Sequence, residues 1–309
     1  MAINRSAISK QLLPGLNEVF GMEYGEVADE HKVLFETESS DRAFEEEVLF
    51  TGFGTAPTKD EGSSVSYDEA QEGYTARYTM ETIALAFAIT EEAMEDNLYD
   101  SFAKLRAKAL ARAMSNTKQV KAADVYNNAF SASYLGGDGV AMISNAHPTL
   151  SGNQSNLIGA TDLSEAALET ASIAISKIKD ERNILVGASA KSLHIPSDLG
   201  FTAEQILRSP GTTTAGSSDS TGYAQNNINA IMSMGTVPGG AFVNRRFSDT
   251  NAWFLKTDQS NGTKMFDRVG LQTKMEPDFD TGNIRYKCRE RYAFGWSDWR
   301  QWFGASGSS

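Results

Sequence analysis

The side chains able to carry chemistry are few and scattered. Three histidines, His31, His147 and His194, stand far apart, and none has a second ligand at His-x-x-x-His spacing, which would set two imidazoles on one helix face for a zinc ion. Cys288 is the single cysteine, so one chain can form neither a disulfide nor a thiolate metal cluster. No GxSxG elbow, Walker loop or GxGxxG turn is present; Gly136-Gly137-Asp138-Gly139 lacks the lysine and the spacing for phosphate and reads as a tight turn. Asp278-Phe279-Asp280-Thr281-Gly282 has the opening of a calcium loop without its third acid, its placed glycine or its distal glutamate, so a hairpin turn is expected. Glu45, Glu46 and Glu47 read as a solvated acidic face, since nothing brings two of them together at raised pKa. Trp296, Trp299 and Trp302 recur every three residues, which suits a turn burying one side in the core or against another subunit. The expectation is therefore no catalytic residue, no cofactor and no metal. The enzymatic alternative is a hydrolase built on a serine, an aspartate and His147.

Composition bounds the rest. The 309 residues, 40% hydrophobic and 22% charged, suit a globular chain of one large or two modest domains. A net charge of -12 opposes a dedicated DNA-binding role, because phosphate neutralisation needs concentrated Lys and Arg, but it is compatible with a wall beside nucleic acid. No run approaches the roughly 20 apolar residues of a membrane span, and no secretory signal opens the chain, so an intracellular product is expected.

The elements that position these residues follow from periodicity. An amphipathic piece from Ile8 to Phe20, broken by Pro14 and Gly15, leads to an acidic stretch, Glu36 to Glu47, which together read as an arm lying on something else. Strand-like Val48-Leu49-Phe50 and Tyr74 to Met80 flank a polar segment, Thr58 to Gly73, predicting an extended hairpin whose tip has no core of its own. The two-residue alternation slips phase after Met80 and resumes at Ile83, Leu85, Phe87 and Ile89. Thr90 then caps a long helix from Glu91 to about Phe130, with Met94, Leu98, Phe102, Leu105, Ala109 and Ala113 on one face, acids first and bases after. Its length would be on the order of 60 Å, and it is expected to act as a spine for a sheet. Beyond the turn at Gly136, Ser164 caps a second helix, Ile184 to Val186 and Ser192 to Ile195 look strand-like, and a short helix covers Thr202 to Leu207. Ser209 to Gly222 is an exposed loop. Antiparallel strands are expected at Ala241 to Asn244, Ala252 to Leu255, Val269 to Met275 and Ile284 to Phe294. The class is α+β.

This order of elements resembles the major capsid proteins of tailed phages, the Hong Kong 97-type fold, and is most similar to Mu-like major head subunits. The resemblance rests on Leu12 to Gly21 (LLPGLNEVFG), Ile89 to Asn97 (ITEEAMEDN), Ser144 to Gly152 (SNAHPTLSG) and Phe242 to Thr257 (FVNRRFSDTNAWFLKT). It implies an N-terminal arm at 1–47, an extended hairpin loop at 48–80, a peripheral domain with the spine helix at 81–163, an axial domain at 164–238 and C-terminal strands returning to the peripheral domain at 239–309. It further implies pentamers and hexamers in an icosahedral shell around double-stranded DNA, with a scaffolding protein, a portal and a decoration protein as partners, no membrane, and assembly in the host bacterial cytoplasm into the virion. An encapsulin-like compartment shell shares the fold and is the structural alternative. The subunit-interface candidates are Arg5 and Phe20 on the arm and Phe53, Lys59, Tyr67 and Tyr74 on the loop; Lys59 stands in the tip where some relatives place a crosslinking lysine.

Overall fold

In the computed structural model the described residues are 5–26, 29–90, 92, 99–211, 228–278 and 281–308. They form two compact units: Met1–Glu45, Tyr78–Ala123 and Met265–Phe294 in the first, and Glu46–Arg77, Asp124–Lys264 and Gly295–Ser309 in the second.

The first unit is a sheet with helices on one face. Its strands are β1 (Glu36–Ser39), β4 (Glu81–Ile89), β9 (Thr263–Pro277) and β10 (Ile284–Trp296), in the order β1-β9-β10-β4. Strands β10 and β4 are antiparallel, with Ile284 opposite Ile89 and Tyr292 opposite Glu81. Alternation decides the buried face: Ile284, Tyr286, Cys288, Glu290 and Tyr292 point inward and Arg285, Lys287 and Arg289 outward. Against the inward row pack α1 (Arg5–Glu26), through Leu16 and Phe20, and the long helix α3 (Tyr99–Asn127), through Ala103, Ala107, Leu110, Ala111 and Met114. A short α2 (His31–Leu34) is set beside α3 by His31, whose N–H donates to Gln119 Oε1 at 2.9 Å and whose ring meets Gln119 Nε2 at 2.8 Å.

Three expectations change here. Helix α1 runs through Pro14 and Gly15 instead of breaking there. Burial of Leu16 and Phe20 and the pairing of Glu23 with Arg112 and Lys108 outweigh the missing proline hydrogen bond. The phase slip at Met80 marks two strands in different sheets, β3 (Glu72–Thr79) and β4, which starts at Glu81, and the outward Ala84, Ala86 and Ala88 of β4 are exposed. Helix α3 is 29 residues, about 44 Å at 1.5 Å per residue, and ends at Asn127 instead of Phe130. The expected start, with Glu91, Met94 and Leu98, lies outside the described residues, as does the side chain of Phe102.

The second unit centres on a five-stranded sheet ordered β5-β11-β8-β6-β7, comprising β5 (Leu157–Gly159), β6 (Ala190–Ile195), β7 (Ala241–Val243), β8 (Trp253–Thr257) and β11 (Trp302–Ala305). Its core gathers Leu193, Ile195, Trp253, Leu255, Trp299 and Phe303 with Leu168, Ala171 and Ile175 of α4 (Glu165–Ser176). The Ser164 hydroxyl caps that helix by accepting from Ala167 N–H at 3.2 Å, as expected. Helix α5 (Gly200–Arg208) packs on β7 and on α6 (Ala230–Met234), which also meets α4. Ile184 to Val186 forms a single bridge, Lys179 to Leu185, instead of a strand, and residues 212–227, most of the expected loop, lie outside the described ones. Strands β9 and β10 thus join the sheet under α3, whereas β7, β8 and β11 pair with β5 and β6.

Candidate functional site

The long hairpin is built from β2 (Phe44–Phe50) and β3 (Glu72–Thr79), a two-stranded sheet enclosing residues 51–71. An isolated two-stranded ribbon is marginal in water, so its base must be anchored elsewhere. Tyr74 does this: its ring packs on the core of the second unit and its hydroxyl donates to the Ser297 carbonyl at 3.0 Å. Glu47, on the other strand, accepts from Lys264 Nζ and from the Ser297 hydroxyl. The turn at Gly136-Gly137 lies so close that a Cβ on Gly137 would come 2.6 Å from the Thr75 carbonyl oxygen and one on Gly136 would meet the Trp296 ring.

Above the base the loop is tied twice. Buried Thr51 donates its N–H and hydroxyl to the Gln71 carbonyl at 2.9 and 2.8 Å and its hydroxyl accepts Gln71 N–H at 2.9 Å. Farther out, Asp68 accepts Gly54 N–H at 2.6 Å and faces Arg182 at 3.5 Å, while Arg182 also donates to the Glu69 carbonyl. The Gly54 N–H, with the Arg182 charge beside it, holds the Asp68 carboxyl below its usual range.

Beyond that neck the tip presents apolar surface to solvent. Tyr67 is 96% exposed and Phe53 63%, Val65 is equally open, and Lys59 is exposed beside them. These exposed apolar groups on a tethered loop are open to contact with another molecule. The other interface candidates lie elsewhere. Phe20 is 1% exposed, stacked on Tyr24 at 6.1 Å within the first unit, and Tyr74 is spent on the hairpin base; the Arg5 side chain lies outside the described residues. Sequence reasoning passed over Phe50 at the strand end and exposed apolar groups on the second unit, where Phe201 is 86% exposed and Met234, Phe242 and Val243, on the elements its helix packs against, are exposed too. The signal for the latter was available, since Phe201 precedes a short amphipathic helix and β7 is a sheet edge.

The residues with catalytic potential are structural. His147 is 0% exposed, bonded through Nδ1 to Asp138 at 2.6 Å and through Nε2 to Asn156 Oδ1 at 3.0 Å, and stacked on Trp299 at 4.3 Å. No substrate reaches a ring so enclosed, so the hydrolase alternative has no base. His194, also buried, meets the Ser192 hydroxyl at 2.9 Å; burial and then Lys256 push its pKa down to about 3. The Asp278 segment closes as a turn, with Asp278 N–H donating to the Asn283 carbonyl at 2.8 Å, while Phe279 and Asp280 lie outside the described residues. Among the described residues no group of three acids, histidines or cysteines gathers as for a metal ion, and no helix is long and apolar enough to cross a membrane.

Residues 73–304 match the model of a family described as phage capsid protein. The chain belongs to the phage capsid protein family. It is a structural subunit and not an enzyme, and its place is the virion capsid. No curated protein matches the sequence. Among solved structures, the chain is similar to the capsid of a native GTA particle, with a TM-score of 0.55 at 12% identity covering 92% of both chains. It is also similar to the procapsid of bacteriophage JBD30, with a TM-score of 0.53 at 13% identity over 99% of this chain and 77% of that one. A virus-like particle from Pyrococcus furiosus matches at a TM-score of 0.50 and 9% identity, over 94% of this chain and 98% of that one. At such identities the likeness is one of fold, and it places the capsid protein in the Hong Kong 97-type class.

Proposed function

We propose that this capsid protein builds a tailed-phage head through contacts made by its exposed loop and arm, as pentamers and hexamers of an icosahedral shell around double-stranded DNA. The observation that carries the proposal is the tip between Gly54 and Asp68: tethered at its neck and open to solvent, it bears exposed Lys59, Val65 and Tyr67, with exposed Phe53 just below the tie. Many weak contacts of this kind sum to a strong shell by multivalency. The spine role falls to α3, the peripheral role to the unit that contains its first turns, and the axial role to the 164–238 stretch. Residues 1–47 serve as the arm, 48–80 as the loop reaching a neighbour, and the strands after residue 239 are shared between the two bodies. A scaffolding protein, a portal and a decoration protein complete the assembly. The phrases at Leu12 to Gly21 and Phe242 to Thr257 favour the Mu-like head subunits within the family. The fold is common to phage heads and encapsulin-like shells; the match to a phage capsid family favours the first.

The test replaces residues 55–67 by a short Asn-Gly turn, which keeps the Thr51–Gln71 and Gly54–Asp68 ties. The expected product is a folded subunit with the wild-type circular dichroism spectrum and no closed shells by negative-stain microscopy. Normal shells from that variant would remove the loop from assembly.

A further inference from the structure

The outward face of the first unit's sheet is a ladder of positive charge in a chain of net charge -12. On β10 the outward positions are Arg285, Lys287, Arg289 and, half-buried, Arg291. Opposite them on β4 stand Ala88, Ala86, Ala84 and Thr82, so the cations rise beside a strip of small side chains with no acid in it. Arg285 is paired with Asp278 and, on neighbouring β9, Lys274 with Glu276, which neutralises the hairpin end. Among the described residues no carboxylate lies within the 4.0 Å of an ion pair from Lys287, Arg289 or Arg291, although Lys287 stands near enough to Glu276 to help hold its carboxyl below the usual range, and the Arg291 Nε is buried. Among the described residues, α1 and α3 pack on the inward face, while Arg285, Lys287 and Arg289 are exposed on the other.

Outward residues on one strand recur every two positions, about 6.8 Å, so the row from Arg285 to Arg291 spans about 20 Å in a line. Each strand of a duplex carries a phosphate for about every 3.4 Å of helix axis, so a row of this length lies beside several phosphates. A single carboxylate would need one such cation, whereas a uniform line of them fits a uniformly charged rod. We infer that the outward face of β10, through Lys287, Arg289 and Arg291, binds the phosphate backbone of nucleic acid without reading sequence. The inference rests on the capsid reading only for the source of the nucleic acid; the contact itself belongs to the isolated subunit.

The test measures anisotropy of a fluorescein-labelled 20-base-pair duplex with the unassembled full-length chain, wild type and the Lys287→Gln/Arg289→Gln variant, with shells scored separately by microscopy. Three phosphate contacts give a slope of log K against log salt of about -2.7, or about a 40-fold loss between 50 and 200 mM salt. The variant should show a slope near -0.9 and weaker binding at 50 mM salt. No binding by the wild type at 50 mM salt, or an unchanged slope in the variant, overturns the inference. A variant that binds the duplex like wild type but makes no shells also overturns it, assigning the ladder to an acidic segment of a second copy. A wild type that makes no shells yet binds with the ladder-dependent slope sustains the inference while sinking the shell function.

Discussion

Glu290 occupies an inward position on β10 where its row is otherwise Tyr286, Cys288 and Tyr292. Its side chain is 2% exposed, both carboxylate oxygens lack a hydrogen-bond partner, and its counter-charge is Lys118 of α3 at 3.6 Å, over the Tyr292 ring. Burial, followed by the Glu290 charge, pushes the Tyr24 phenol of α1 well above its usual range, so the arm helix reads the same carboxylate. At an effective dielectric of 20, charges 3.6 Å apart attract by about 4.6 kcal/mol, and removing one member of such a pair costs about 3–5 kcal/mol because the other stays buried and charged. Lys118→Met should therefore destabilise the first unit by about 4 kcal/mol, close to three decades in the opening equilibrium. Hydrogen exchange of peptides from α3 and β10 reads this directly, with peptides from β6 and β8 as an internal control. Lys118→Met combined with Glu290→Leu should restore protection to within about 1 kcal/mol, since an apolar pair removes the uncompensated charge. If Lys118→Met alone shifts exchange by less than tenfold, or the double variant is worse than the single, the pair does not hold the helix on the sheet.

His194 gives a pH dependence with a definite sign. Its folded pKa, about 3, lies below the unfolded value, so the unfolded chain binds the extra proton; the contribution is complete above about pH 6.5 and is lost as pH falls toward 3. Urea melts followed by fluorescence of the four tryptophans, all in the second unit, should lose about 2 kcal/mol between pH 7 and pH 5, and His194→Asn should flatten that loss; an unchanged slope would contradict the assignment. Gly137→Ala pushes a methyl against the Thr75 carbonyl and should cost about 1–3 kcal/mol in the same melt, with increased protease cutting in the hairpin. Asn17 accepts from the Tyr286 hydroxyl at 2.8 Å and the Thr273 hydroxyl at 2.9 Å, fastening α1 to β10 and β9; Asn17→Ala should cost about 1–3 kcal/mol and speed trypsin cleavage of the arm, and an unchanged digestion pattern would refute it.

Periodicity and turn chemistry carried much of this protein. The hairpin was legible because two-residue alternation flanks a stretch too polar to bury, and the Ser164 helix because its cap and its three- and four-residue apolar steps agree. The contact function was read from the resemblance to capsid proteins carried by Leu12 to Gly21, Ile89 to Asn97, Ser144 to Gly152 and Phe242 to Thr257. What local pattern could not decide was destination. Pro14 and Gly15 predict a break, yet α1 continues because Leu16 and Phe20 find a sheet that residues hundreds of positions away supply. Phe20 and Phe53 are alike in sequence terms, but one is interior and the other exposed, because burial depends on which element lies across. The alternating charges of β10 could have faced water on either side. Only the packing of α1 and α3 on one face places Glu290 inside with Lys118 and lines the cations along the other, since a strand's period fixes which residues share a face and the tertiary fold alone chooses which face is covered.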